Sequence, residues 1–346
     1  MPARRTIAWG ILGTGKIARQ LAEAIRQSPS GHLAAVGSRT LPAARAFAQT
    51  WEIPRAFGSY QEVLDCKEVE AIYISLPNHL HAEWTIRAAK AGKHILCEKP
   101  FTVNRAEAER AIEAVRNARV FLMEAFMYRL HPQTARLAEI VQRGDIGEVR
   151  HIQASFSYNM GLAQPNIRLN NAEAGGGIMD VGCYPLSLAR LIAGASRGNP
   201  FLNPSEVRGS ATLGEQTRVD HQAVASLKFP GGCLAEISCG TQVATDCAVR
   251  IWGSDGHILV PIPWKPPERH ARLLVRRRNE TSPTEELIDA PAPLYTLQVE
   301  AVAAAIRHHD FEIKPPGPTW ADTLGNMAAL DAWRASVGLT FDCERR

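Results

Sequence analysis

The chain has 346 residues, of which 45% are hydrophobic and 21% are charged. At roughly 150 residues per domain, this length corresponds to about two domains. The hydrophobic content is enough to bury a core, which excludes wholesale disorder. The formal net charge is +4, and the longest basic run is Arg276-Arg277-Arg278. That run is too short for a nucleic-acid-binding surface, so a small anionic ligand is expected instead.

The apolar stretches, cysteines and histidines exclude further classes of protein and of site. Apolar stretches reach only about ten residues, whereas a membrane span needs about 20, so no membrane association is expected. The seven cysteines are an odd number without a CxxC pair. They favour reduced thiols in a cytoplasmic protein over a disulfide framework or a zinc site. His79, His81 and His94 lack carboxylates at metal-ligand spacing, so no metal is predicted.

Residues 1–128 alternate short apolar runs with helical patterns. The run Ile7–Leu12 is nearly all apolar, as in a buried strand, and Ile17–Arg26 has the apolar spacing of a helix. Strands that alternate with helices predict a doubly wound α/β domain with a parallel sheet. The further predicted strands are 33–36, 71–76, 95–97 and 120–123, and the further predicted helices are 42–51, 82–91 and 106–117.

Residues 129–346 have a different pattern. Residues 151–158 alternate polar and apolar side chains, as a strand of an antiparallel sheet does. We therefore predict an α+β domain with a large, mostly antiparallel sheet. Its further strands are expected at 209–213, 222–229, 233–239, 248–252, 257–260 and 273–275, and its helices at 180–193, 296–308 and 320–337. Packing of the last helix against the N-terminal domain is left open.

A glycine-rich loop follows the first predicted strand. Gly13-Thr14-Gly15-Lys16-Ile17-Ala18 is a G-x-G-x-x-A sequence, with a helix behind it. Gly13 permits a tight turn, Gly15 lets the backbone approach a pyrophosphate, and Ala18 allows the helix to pack closely on the strand. In this context the loop predicts a dinucleotide site that includes residues 13–17.

The end of the second predicted strand bears on the choice of dinucleotide. An NAD site has Asp or Glu there to bind the ribose 2′-hydroxyl, but this chain has Gly37-Ser38-Arg39-Thr40. A guanidinium and two hydroxyls would bind a 2′-phosphate through charge-assisted hydrogen bonds. Ser38 and Arg39 therefore favour NADP, and use of NAD is left open.

Glu98-Lys99-Pro100 ends the predicted strand 95–97. In open α/β sheets, ligands bind beyond the carboxyl ends of the strands, where this tripeptide falls. Hydride transfer at a carbon that carries oxygen requires a proton to be added to that oxygen or removed from it. A partly desolvated lysine beside an oxidised nicotinamide can do this near neutral pH. The alternative is an exposed Glu–Lys pair in a loop.

Four motifs follow one another along the chain, and together they resemble one family. They are Gly13-Thr14-Gly15-x-x-Ala18, Pro77-Asn78-x-x-His81, Glu98-Lys99-Pro100 and Asp180-x-x-x-Tyr184. This combination resembles the Gfo/Idh/MocA oxidoreductases over nearly the whole chain. Residues 123–132 and 175–184 resemble the branch with NADP-linked xylose dehydrogenases, dihydrodiol dehydrogenases and glucose–fructose oxidoreductase.

The resemblance implies roles for individual residues. Lys99 matches the family's active-site lysine, before a proline bond that is often cis. Asp180 and Tyr184 match a pair in the second domain. Arg168, seven residues before the triple glycine 175–177, is left open between a substrate contact and a surface role. The expected catalytic residues are Lys99, Asp180 and Tyr184, and the substrate set adds Tyr128 and Arg168. Beside residues 13–17, Ser38 and Arg39, the cofactor set comprises Leu76, Pro77, Asn78, His81, Glu98, Lys99 and Arg129.

The spacing of Asp180 and Tyr184 allows a joint role. They are four residues apart at a predicted helix start, after the flexible glycines, so both can face one cleft. Either Tyr184 exchanges the substrate proton while Lys99 orients and tunes it, or Lys99 exchanges the proton directly. The alternatives are a helix N-cap for Asp180 and a core position for Tyr184.

These residues predict an NADP-preferring oxidoreductase. It would transfer a hydride between nicotinamide and a CH–OH or carbonyl carbon of a carbohydrate, polyol or diol. Two alternatives stay open: a redox-neutral sugar-transforming enzyme with a tightly bound cofactor, and a non-catalytic NADP(H) sensor or scaffold. The resemblance implies a homodimer or homotetramer, assembled through the sheet of the second domain.

Overall fold

In a computed structural model that describes residues 5–163 and 165–345, the chain divides into two compact units. Unit 1 contains the described residues up to 102, together with 106–127 and 292–320. Unit 2 contains 103–105, the described part of 128–291, and the described residues from 321 onward. The division after residue 127 lies beside the predicted boundary, but residues 292–320 group with unit 1 and not with the second domain.

Unit 1 is built on a parallel sheet of six strands. They are β1 (Ile7–Leu12), β2 (Gly31–Gly37), β3 (Arg55–Phe57), β4 (Ala71–Ile74), β5 (His94–Cys97) and β6 (Leu122–Glu124). Their order in the sheet is β3-β2-β1-β4-β5-β6. Every residue of β1 and β4 is buried, as expected of a parallel sheet that is covered on both faces. The strand order reverses between β1 and β4, which is where such sheets bind ligands.

Helices cover this sheet where the sequence predicts them, within one residue at each end. They are α1 (Lys16–Gln27), α2 (Leu41–Trp51), α4 (His81–Lys90) and α5 (Arg105–Ala118), and the chain adds a short α3 (Tyr60–Asp65). The buried side of α1 consists of apolar residues three and four apart, which fixes its orientation on the sheet. Neither β3 nor α3 is predicted from the sequence, because three and six residues are too few to show a period.

Unit 2 is built on an eight-stranded sheet. Its strands are β7 (Val149–Ser157), β8 (Glu206–Leu213), β9 (Asp220–Lys228), β10 (Leu234–Gly240), β11 (Val249–Gly253), β12 (His257–Val260), β13 (Ala271–Arg276) and β14 (Thr284–Ile288). The order is β14-β13-β12-β11-β7-β10-β9-β8. Neighbouring strands are antiparallel except for the parallel pair β7 and β10. The predicted fold class is confirmed for both parts of the chain.

The remaining helices are α6 (Pro132–Gln142), α7 (Cys183–Ala195), α8 (Leu294–Arg307) and α9 (Trp320–Ser336). All residues of α7 are buried, and α8 packs against α1. A π-helical turn, Ile178–Gly182, precedes α7, so the α-helix begins at Cys183 and not at the predicted residue 180. The helical stretch Asn171–Ala195 is long and apolar enough to cross a membrane by composition. However, 94% of its most apolar window is buried inside the protein, so packing explains its apolar length.

Candidate functional site

The loop after β1 has the backbone that its glycines predict. Gly13 has a φ of +99°, and a Cβ atom there would lie 3.0 Å from the carbonyl oxygen of Ser75. A Cβ atom at Gly15 would meet no described atom within 4 Å. Gly13 is therefore required by the turn, whereas Gly15 borders open space. Ala18 is fully buried where α1 meets the sheet, as predicted.

The N-terminus of α1 faces the same loop. Its N-cap is Gly15, and no side chain among the described residues caps it. The first N–H groups of α1 and the positive end of its dipole are thus available to an anion. Together with the open space at Gly15, this fits the pyrophosphate of a dinucleotide, which residues 13–17 would hold.

Ser38 and Arg39 directly follow β2. The Ser38 N–H donates to the Phe57 carbonyl at 3.2 Å, and the residue is buried. Arg39 is exposed. Burial raises the pKa of Tyr60, and the positive charge of Arg39 opposes that rise, so the guanidinium lies near this ring. An accessible guanidinium at this strand end suits a 2′-phosphate better than a 2′-hydroxyl.

Residues 76–81 follow β4 on the other side of the point where the strand order reverses. Asn78–Leu80 form a 3-10 turn that leads into α4. His81 is fully buried; its Nδ1 lies 2.9 Å from the carbonyl oxygen of Pro100 and its Nε2 lies 2.8 Å from that of Leu76. Burial lowers the pKa of His81 to about 4. The ring therefore links two loops of unit 1, and a direct contact with the cofactor stays a prediction.

Glu98, Lys99 and Pro100 lie at the carboxyl end of β5. Glu98 is buried and accepts a hydrogen bond from the Tyr73 hydroxyl, and its N–H donates to the Ile74 carbonyl at 3.0 Å. Lys99 is half-buried, and its bond to Pro100 is cis. The alternative of an exposed Glu–Lys pair is therefore wrong.

Two further contacts fix the backbone on either side of Lys99. The Phe101 N–H donates to the buried carboxylate of Glu124 at 2.9 Å, and the Ala125 N–H donates to the Cys97 carbonyl at 2.8 Å. The main chain that carries Lys99 is thus held at several points, and its predicted role in proton transfer would need such a fixed position. Sequence reasoning missed Glu124; its one signal was a carboxylate at the end of a predicted strand.

In unit 2, Asp180 lies in the π-helical turn before α7. Its Oδ2 accepts hydrogen bonds from the Tyr158 hydroxyl and from Arg168 Nε, the latter at 2.8 Å. The N-cap of α7 is Gly182, so Asp180 does not cap that helix. The structure thus brings together Arg168 and Asp180, both predicted, and adds Tyr158, which the sequence analysis missed. Such π-helical turns are rare and are frequently found at functional sites.

The triple glycine before this turn makes room for Asp220. A Cβ atom at Gly176, where φ is +106°, would lie 2.1 Å from Asp220 Oδ1, and one at Gly177 would lie 3.0 Å from Oδ2. Asp220 Oδ2 accepts the Ile178 N–H at 2.7 Å, so β9 supplies the cap of this helical segment. Burial raises the pKa of Asp220 to about 7. The glycines thus serve close approach, and the expectation of a flexible link is corrected.

Tyr184 lies in the first turn of α7 among three other aromatic side chains. Its ring centroid is 5.7 Å from that of Tyr128, 5.1 Å from that of Phe156 and 5.9 Å from that of Trp264. The Tyr128 hydroxyl donates to Ser187 Oγ at 3.0 Å, and burial raises the pKa of Tyr128 to about 12. Tyr128 and Tyr184 therefore share one cluster, in which both are buried, and their contact with a substrate stays a prediction. Phe156 and Trp264 were not in that set.

Arg129 lies in a buried ion network of unit 2. Its guanidinium donates to Asp322 Oδ2 and to Ser187 Oγ, both at 2.8 Å. Asp322 Oδ1 accepts from Arg190 at 2.6 Å. These contacts are fully buried and hold Arg129 against protein groups. Its predicted contact with the cofactor stays a prediction.

The predicted residues thus form two groups. In unit 1, the glycine loop, residues 38–39, 76–81 and 98–99 follow the carboxyl ends of β1, β2, β4 and β5. In unit 2, Arg168 and Asp180 form one cluster, and Tyr128 and Tyr184 another. Within residues 5–163 and 165–345, no three His, Cys, Asp or Glu side chains are grouped for a metal.

Comparison with known proteins decides the family. The oxidoreductase family with an NAD-binding Rossmann fold matches residues 7–126, and the GFO/IDH/MocA C-terminal domain matches residues 134–259. An uncharacterized oxidoreductase of Rhizobium meliloti is 38% identical over 337 residues, which are 96% of this chain and 97% of that protein. The chain belongs to the Gfo/Idh/MocA family.

As a member of this family, the protein is an NAD(P)-dependent oxidoreductase. The D-xylose 1-dehydrogenase (NADP+) 2 of Haloferax volcanii is 34% identical over 86% of this chain and 88% of its own length. A 3-ketoreductase from Actinomadura kijaniata, solved in complex with NADP and TDP-benzene, is 27% identical with a TM-score of 0.86. That match covers 96% of this chain and 98% of the reductase chain. The predicted family is confirmed.

Proposed function

We propose that this Gfo/Idh/MocA oxidoreductase transfers a hydride between NADP and a CH–OH or carbonyl carbon of a carbohydrate, polyol or diol. The observation that carries the proposal is the half-buried Lys99 on an anchored loop at the carboxyl end of β5. The names of two similar proteins, a D-xylose 1-dehydrogenase (NADP+) and a 3-ketoreductase solved with NADP and TDP-benzene, support this proposal.

The preference for NADP rests on the end of β2. Ser38 and Arg39 stand where an NAD-specific site has a carboxylate, and Arg39 is exposed to a ligand. A guanidinium gains a strong charge-assisted hydrogen bond from a 2′-phosphate and has no such partner on a 2′-hydroxyl. We therefore expect tighter binding of NADP than of NAD.

Lys99 and Tyr184 are the groups that we assign to the substrate proton. When bound, the nicotinamide gives or takes the hydride, and the substrate oxygen gains or loses a proton in the same conversion. We propose that Tyr184 exchanges this proton and that Lys99 orients and tunes it. Asp180, which accepts from Tyr158 and Arg168, is assigned to holding a substrate hydroxyl.

A substrate screen tests the proposed function. Purified protein is mixed with aldoses, polyols and diols, each with NADP+ and with NAD+, and cofactor reduction is followed by absorbance at about 340 nm. The expected result is reduction of NADP+ in preference to NAD+ by at least one compound. Tight NADP binding without turnover of any compound would contradict the proposal in favour of a sensor. Cofactor that stays bound through purification and cycles without net reduction would favour the redox-neutral alternative.

We also propose that the protein is a homo-oligomer, assembled through the sheet of unit 2. Val224 on β9 and Leu234 on β10 are each about half exposed on the same outer face of that sheet. A second copy of the chain would cover these apolar side chains. Light scattering after gel filtration tests this; a monomer at micromolar concentration would contradict it.

A further inference from the structure

One oxygen of Asp180 accepts hydrogen bonds from two side chains. The Tyr158 hydroxyl and Arg168 Nε both donate to Oδ2. The Asp180 side chain is 13% exposed, whereas that of Arg168 is 42% exposed. Burial, together with the charge of Asp180, raises the pKa of Tyr158 well above its ordinary value, so this group remains a neutral donor. Asp180 also raises the pKa of Arg168.

The two donors differ in how firmly the fold holds them. Tyr158 directly follows β7, a central strand of the sheet, and its N–H donates to the Gly240 carbonyl at 3.0 Å. Arg168 lies in the short 3-10 turn Ile167–Leu169, outside the sheet. Tyr158 is therefore the donor that is tied to the sheet. Arg168, whose carbonyl accepts the Gly176 N–H at 2.8 Å, is the more exposed donor and lies outside the sheet.

We propose that Tyr158 is a positioning residue of the oxidoreductase reaction, which holds the Asp180 carboxylate in one orientation from the sheet. The inference rests on the proposed function, in which Asp180 contacts the substrate. A carboxylate that turned about its Cβ–Cγ bond would present its oxygens in several directions. Groups that bind a reacting substrate have to be held within about 0.5 Å of the productive geometry.

Tyr158 acts through Asp180 because the hydroxyl has one hydrogen and directs it at Oδ2. Without the hydroxyl, Arg168 still donates to that oxygen. Since Arg168 belongs to a more exposed segment, the carboxylate then gains rotational freedom. The consequence is slower turnover while the cofactor still binds, because the glycine loop belongs to unit 1.

A double-mutant cycle tests this inference with the best substrate from the screen. The variants are Tyr158→Phe, Asp180→Asn and the double variant; kcat, KM, Tm and the Kd for NADP+ are measured for each. We expect Tyr158→Phe to lower kcat about tenfold or more, the effect of one charge-assisted hydrogen bond. The Kd for NADP+ and the Tm should change little. In the Asp180→Asn background, Tyr158→Phe should lower kcat less than about threefold, because the effects of coupled residues are not additive.

Ser196→Ala is the control. It removes a hydroxyl of unit 2 that donates to the Ala193 carbonyl at 2.9 Å, just after α7, and should leave kcat unchanged. Equal losses of kcat from Tyr158→Phe in both backgrounds would overturn the positioning role. So would an unchanged kcat, or a loss that follows a lowered Tm. If Asp180→Asn itself kept full kcat, the assignment of Asp180 in the proposed function would fail together with the positioning role of Tyr158. If Asp180→Asn lowered kcat and Tyr158→Phe did not, the positioning role alone would fail.

Discussion

The two units hold their candidate reactive residues in different ways. In unit 1, His81 and Glu124 bind backbone atoms of Pro100 and Phe101, and so fix the main chain next to Lys99. In unit 2, Tyr158 and Arg168 bind the carboxylate of Asp180 itself. Anchors of the first kind set where a residue stands, whereas anchors of the second kind set how its side chain is turned. Substitutions should therefore disturb a loop in unit 1 but a single side chain in unit 2.

The largest expected effect comes from Lys99→Ala. Loss of the ammonium should lower turnover roughly 10²–10⁴-fold, because a group that handles the substrate proton is lost. The Kd for NADP+, measured by calorimetry, should change much less, since the glycine loop is intact. Lys90→Ala, at the exposed end of α4, is the control and should behave as wild type. Near-normal turnover of Lys99→Ala would show that Lys99 does not handle the substrate proton.

Gly176→Ala tests how closely Asp220 packs against the glycines that precede the π-helical turn of unit 2. The new Cβ would lie 2.1 Å from Asp220 Oδ1 at a φ of +106°. Gly232→Ala is the matched control because its φ is +91° and no described atom lies within 4 Å of its Cβ position. Gly176→Ala should lower the free energy of unfolding by about 1–3 kcal/mol more than the control. Equal losses in urea titrations would mean that the glycine serves the backbone conformation alone.

Arg39→Ala should weaken cofactor binding in unit 1 without touching unit 2. The Kd for NADP+ should rise about tenfold or more, because a charge-assisted hydrogen bond to the 2′-phosphate is lost, while the Kd for NAD+ stays the same. Arg45→Ala on α2 removes an exposed arginine nearby and is the control. An equal rise of the Kd for NADP+ and the Kd for NAD+ would show that Arg39 does not bind the 2′-phosphate.

A pH dependence of stability is expected from Asp220. Its pKa in the folded protein is raised from 3.8 to about 7 by burial. The stabilisation from its protonated form is therefore complete below pH 3.8 and is lost as the pH rises through 7. Asp220→Asn stays neutral, so the stability advantage of wild type over this variant should shrink between pH 4 and pH 8. Urea unfolding at several pH values measures this, and parallel profiles of both proteins would contradict it.

Much of the fold could be predicted from the sequence because its signals are local. The strands Ile7–Leu12 and His257–Val260 are predicted residue for residue, since apolar runs and turn residues mark their ends. The short elements β3 and α3 and the later α6 and β14 were missed. The placement of residues 292–320 with unit 1 was also missed, because α8 follows the second sheet in the chain but packs on α1.

For the site, the sequence determined which residues to consider, and the tertiary structure decided what each one contacts. Lys99, Asp180 and Tyr184 stand in motifs that can be recognised within a few residues. Tyr158, directly after β7, and Asp220, on β9, lie 22 and 42 residues from the groups they bind and belong to no motif of their own. The sequence specifies side-chain type and spacing, but the partner of a buried polar group depends on which elements pack against each other.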